Sequence, residues 1–202
     1  MEKGYNKADA FENSHQKISV LLSENQTERP CVFLSHKKED KHECKKVAEY
    51  FASAGINYYL DELDEVLQAA ARANDPELIA ESIKKGIRES SHMLVVVSEK
   101  TSKSHWVPFE IGYGHSAILD KSTNEGIHDS KIKLAILILI DLSEKQLPDY
   151  MQMAHIIRGT KSLNQYIATV SGKPERSLII EKRLFSHTES LHPLRGILNR
   201  KM

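Results

Sequence analysis

Three observations predict an α/β protein built as a doubly wound parallel sheet with helices on both faces. Short apolar runs recur at 31–34 (CVFL), 93–97 (MLVVV) and within 133–140 (KLAILILI). Strands read this way when both faces are covered. Between them lie stretches with apolar residues at helical spacing, such as Cys44, Val47, Ala48, Phe51 and Ala54, then Ile79, Ile83 and Ile87. The two kinds of segment alternate, and right-handed crossovers turn such alternation into neighbouring parallel strands.

The elements follow in order. Residues 1–29 form a polar extension, with an amphipathic helix carrying Phe11, Ile18, Leu21 and Leu22 and then the linker SENQTERP. The main domain occupies 30–170. Its first strand, 31–34, stops at Ser35-His36, and a charged loop leads to a helix with Asp40 as N-cap. Gly55 ends that helix in the left-handed conformation, and 56–60 is the second strand, closed by Asp61. A long, partly helical connection runs through 61–74. Asn74-Asp75-Pro76-Glu77 then starts a helix, with a capping side chain, a proline where an N–H is dispensable and an acid in the first turn. The third strand is 93–97 and the fourth 133–140, separated by a helix from Trp106 and a polar interval at 120–130. Residues 147–157 read as a loop and weak helix, 160–168 as a last short element, and 171–202 as a C-terminal extension.

Composition narrows the function. The 202 residues carry 28 basic and 28 acidic side chains, so no net field favours nucleic acid or an anionic membrane. Two cysteines, Cys31 and Cys44, make no disulfide framework and no C-x-x-C metal pair, and both are expected as buried small hydrophobes. The histidines show no metal spacing, so no metal is expected. The apolar run 134–140 falls far short of the ~20 residues that cross a bilayer, and the N-terminus lacks an apolar signal core. A soluble cytoplasmic protein is the expectation.

In open α/β sheets the ligand crevice lies beyond the carboxyl ends of the strands. That rule gathers Ser35-His36, Asp61, Ser98 and Asp141 at one edge, beside the stretch SEKTSKSHWVPFEIGYG at 98–114. There Trp106 and Glu110 lie one helical turn apart on one face. Both are expected to look outward, with Gly114 leaving the surface beside Glu110 bare. An aromatic ring, a carboxylate and a gap suit a flat, cationic or sugar-bearing ligand, although packing for the tryptophan and solvation for the glutamate remain open.

These residues resemble a Toll/interleukin-1 receptor (TIR) domain of the bacterial type. The resemblance rests on VFLSHKKEDK, INYYLDELDE, IAESIKKGIRESSHMLVVVSEKTSKSHWVPFEIG and KLAILILID, and covers roughly residues 30–165. Its most specific part is S-x-x-x-x-W-x-x-x-E after a strand ending in V-S. The resemblance implies a flavodoxin-like fold, self-association, and in many bacterial members the consumption of NAD in antiphage defence. It assigns the catalytic carboxylate to Glu110. A departure is the loop after the second strand, DELDEVLQAAARAND, which lacks the proline-glycine turn of animal TIR domains and puts their head-to-tail assembly in doubt.

NAD cleavage is chemically consistent with one glutamate. Nicotinamide leaves as a neutral molecule, so the acid partner of a glycosidase pair is dispensable, and a carboxylate stabilises the oxocarbenium-like ribosyl centre. Around it, Trp106 either walls the pocket or packs under the loop. Ser35 and His36 either meet a phosphate or form a solvated loop, and Asp61 and Ser98 either touch ribose or cap turns. NAD is expected as substrate, with no cofactor, and a separately encoded effector or sensor as a partner. Two other readings stay open: a non-catalytic self-association adaptor and a nucleoside deoxyribosyltransferase-like enzyme.

Overall fold

The computed structural model describes residues 3–9, 14, 29–119 and 132–198. Five parallel strands, β1 (Cys31–Ser35), β2 (Asn57–Tyr59), β3 (His92–Val97), β4 (Leu134–Ile138) and β5 (His155–Arg158), form one sheet in the order β2-β1-β3-β4-β5. That order is the flavodoxin-like one, with its switch point between β1 and β3. The helices are α1 (Lys41–Ser53), α2 (Glu65–Ala73), α3 (Pro76–Arg88), α4 (Trp106–Gly114), α5 (Asp149–Gln152), α6 (Gly159–Ser171), α7 (Glu175–Ile180) and α8 (Arg195–Leu198).

Strand alternation divides the core in two. Val32, Leu34, Leu94, Val96, Ala135 and Leu137 face α1 and α6, where Val47, Phe51, Leu163 and Ile167 meet them. Phe33, Met93, Val95, Val97, Ile136 and Ile138 face the other way, against Leu67 of α2, Ile83 and Ile87 of α3 and Val107 and Ile111 of α4. Side chains that alternate across a strand but are apolar on both sides require helices on both faces.

Several local expectations meet the structure. Gly55 takes φ 82 after α1, and Asp75 caps α3 by accepting from the Leu78 N–H, with Pro76 in the first turn. The connection 61–74 resolves into a 3₁₀ turn at Asp61–Leu63 and α2, which Asn74 ends in the left-handed region at φ 53.

Others are corrected. Asp40 sits at the N-cap of α1, but its side chain makes no capping bond; it is turned inward to Ser98. Residues 155–158, expected as loop or weak helix, form edge strand β5. Beyond α6, Leu178, Leu184, Leu194 and Leu198 enter the α1/α6 core. At the other end, the Tyr58 N–H donates to Tyr5 O and the Lys7 N–H to Tyr58 O, an isolated parallel bridge centred on Asn6 at the outer side of β2. The helix expected on Phe11, Ile18, Leu21 and Leu22 and the interval 120–130 lie outside the described residues. None of the described helices is long and apolar enough to cross a membrane.

Candidate active site

The stretch around Glu110 folds as expected into a strand end, a loop and a helix, but it faces inward. In α4 the buried residues are Val107, Glu110, Ile111 and Gly114, the stripe that lies on the sheet. A methyl group at Gly114 would collide with the Met93 sulfur. The glycine therefore permits close packing on β3 rather than opening the surface beside Glu110. Trp106 is half-buried against the same core and meets Phe109 edge-on with ring centroids 5.8 Å apart.

Glu110 reaches the carboxyl end of β1, where the Ser35 hydroxyl donates to its Oε2. The two residues are 8% and 1% exposed. Burial pushes the Glu110 carboxyl up to about 7; the Ser35 hydrogen bond opposes that shift, and the nearby Asp61 charge adds to it. A carboxylate so placed changes charge near neutrality, the range in which active-site acids and bases operate.

Glu110 lines a small cavity together with Ser35, His36 and Asp61, so four of the six residues singled out in the sequence meet at one point. The cavity measures about 20 Å³, space for roughly one water molecule. Phe33, Leu34, Tyr59, Leu67 and Ile83 complete its walls. The Tyr59 hydroxyl donates to Asp64 Oδ2, while Asp64 Oδ1 accepts from the Leu67 N–H and caps α2. Tyr59 stacks on Phe33 at 5.7 Å, and Gly86 of α3 is pressed against its ring. The segment from Asp61 through α2 thus roofs the carboxylate. The sequence signal that points to this role of Tyr59 is an acid five residues on, at a helix start.

The other two residues do not line the cavity. Trp106 stands in the first turn of α4, half-buried against the core. Ser98 donates from Oγ to Asp40 Oδ2 at 2.5 Å, accepts from the Lys100 N–H at 3.1 Å, and donates from its own N–H to Thr101 Oγ1 at 2.9 Å. Lys100 Nζ lies 3.3 Å from Asp40 Oδ1. This cluster ties the loop before α4 to the loop after β1 and so fixes the two segments that carry Glu110 and Ser35.

A larger cavity, about 440 Å³, lies beyond β4 and β5, where Ile138, Leu142 and Leu198 meet the ion pair of Arg158 with Glu144. Its polar side chains are those of Ser143 and that ion pair. Among the described residues no group of histidines, cysteines and acids could hold a metal ion.

Residues 32–157 match the family model described as TIR domain. The chain belongs to the TIR domain family. The matched span runs from β1 into β5 and contains every residue of the Glu110 cavity. No curated protein matches this TIR domain chain.

Proposed function

We propose that this TIR domain cleaves the nicotinamide–ribose bond of NAD, with Glu110 as the catalytic carboxylate. One observation carries the reading: a carboxylate held near its protonation midpoint, buried at the ligand edge of a doubly wound sheet, beside a hydroxyl and the β1–α1 loop. As the C1′–N bond breaks, its electron pair stays with nicotinamide, which departs neutral. Ionised Glu110 stabilises the positive ribosyl carbon. Water, a hydroxyl of the same molecule or a second acceptor then adds there and loses its proton, giving ADP-ribose, a cyclic product or a conjugate. The reading places this chemistry in the cytoplasm, in bacterial antiphage defence, with a separately encoded effector or sensor.

Ligand pockets measure roughly 300–1,000 Å³, so a dinucleotide requires the roof over Glu110 to move. Its outer attachments suit that. Glu62 pairs with Lys45 at 2.6 Å and Lys41 at 3.8 Å, all partly exposed, and exposed pairs hold weakly. On this reading, self-association of the TIR domain supplies the force that opens the roof.

The smallness of the cavity favours a second reading, a non-enzymatic module that associates through the same fold. Purified protein at high concentration, incubated with NAD and followed for nicotinamide release, separates the two. Release by the wild type with loss of ~10²–10³-fold in Glu110→Gln is the expected outcome. Equal release by both removes Glu110 from the mechanism. A folded wild type that is inert when clustered supports the module, and turnover of nucleosides but not NAD supports a transferase.

A further inference from the structure

We propose that Ser35 is a positioning residue for Glu110: from the end of β1 its hydroxyl donates to Oε2 and fixes the carboxylate at the edge of the cavity that Asp61 also lines. This rests on the NAD-cleaving reading for its role in turnover, but the pairing itself can be measured without substrate.

Ser35 is the one hydroxyl in a strand otherwise made of Cys31, Val32, Phe33 and Leu34, and the whole strand is buried. Such a group costs free energy unless it is hydrogen-bonded. Its register against Val95 of β3 fixes the backbone, so the Oγ donates from a defined position to a helix 75 residues further along the chain. Glu110 makes this one hydrogen bond among the described residues, through Oε2. Oε1 is left to accept from a ribose hydroxyl. A hydroxyl has a single proton to give, and a carboxylate receives it better than a carboxylic acid does, so the bond favours the charged form.

The other titratable groups around Glu110 come from three elements. Asp61, at the end of β2, lines the same cavity and opposes ionisation by charge. His36 lines it from the β1–α1 loop. The Tyr59 phenol is committed to Asp64, and the Cys44 thiol of α1 lies within electrostatic reach but is held neutral by burial. Ser35 is the group that donates, and Asp61 the one that repels.

The test is a substrate-free NMR titration of the side-chain carboxyls with ¹³C-labelled glutamate, in which the Glu110 signal is identified by its loss in Glu110→Gln. Wild type, Ser35→Ala and Asp61→Asn are compared. The Glu110 midpoint is expected to rise by about one pH unit in Ser35→Ala, the value of one hydrogen bond to a charged group, and to fall in Asp61→Asn. The acid limb of nicotinamide release should move with it in each protein. An unmoved midpoint in Ser35→Ala overturns the proposal whatever the activity. Midpoints that move as expected in proteins that release no nicotinamide uphold the positioning and sink the NAD reading instead. Should Ser35→Ala fail to fold, a midpoint that does not fall in Asp61→Asn overturns the paired arrangement.

Discussion

Glu110 and Ser35 meet because a strand end and a helix face are brought together across 75 residues of chain, and sequence spacing is blind to that distance. The spacing of Trp106 and Glu110 did place them near one another on α4. Sharing a face does not say which way that face turns, and the outward expectation fails because Glu110 shares its stripe with Val107, Ile111 and Gly114, which lies on the sheet. In the fold, Gly114 is where α4 touches Met93. The inward carboxylate has a thermodynamic signature. Its folded value of about 7 exceeds the ordinary 4.5, so the folded state binds the proton more readily between those limits. The stability tied to that proton is fully present below 4.5 and lost as pH rises through 7. Above pH 8 the loss is about 3 kcal/mol. Glu110→Gln should therefore melt about 5–10 °C above wild type at pH 8.5, with the gap closing by pH 4.5. Calorimetry at the two pH values checks this; an equal or lower melting temperature for the variant at pH 8.5 would show that the charge is not buried at a cost.

At the scale of elements, β1, β3 and β4 were legible because each carries a continuous apolar run, 31–34, 93–97 and 134–138, whereas β5 was not. Its burial is shallow, with Ile157 alone fully covered and Ile156 only partly so on the other face, as befits four residues at a sheet edge. Asp75 and Pro76 announced α3 through local chemistry that needs no tertiary partner. The closure of α2 over the cavity was beyond local reading, because Tyr59 and Leu67 acquire that role only once β2 lies beside β1. The roof offers a direct handle. Tyr59→Phe keeps the ring on Phe33 and Gly86 but removes the bond to Asp64, worth about 1.5–3 kcal/mol when made to a charged group. Amides of α2 should then exchange at least ~10-fold faster while those of β1 and β3 stay protected. Unchanged exchange in α2 would mean that Tyr59 does not restrain the roof.

The molecule as a whole extends past the residues that carry the family likeness. Tyr50 Oη donates to Asn164 Oδ1 at 2.8 Å, lies 3.1 Å from His192 Nε2 and accepts from the Phe185 N–H at 3.1 Å. The Leu194 N–H donates to His192 Nδ1. This network joins α1, α6 and the segment after α7, beside the buried Leu178, Leu184, Leu194 and Leu198. Scattered leucines in a basic-leaning tail gave no periodicity from which to infer such packing. Each of these leucines contributes about 2 kcal/mol by burial, and together they rival the ~5–15 kcal/mol that holds a domain. A chain ending at residue 171 should show no cooperative thermal transition by circular dichroism; a transition as sharp as that of the full chain would mean the core closes without them. The Asn6 bridge has a different consequence. Unpaired strand edges invite other chains to add on, and the backbone bonds from Tyr5 and Lys7 to Tyr58 already occupy the outer side of β2. Growth of the sheet by a visiting strand is thereby blocked on that flank, so copies of this protein that gather must join through helices and loops or at the short rim of β5.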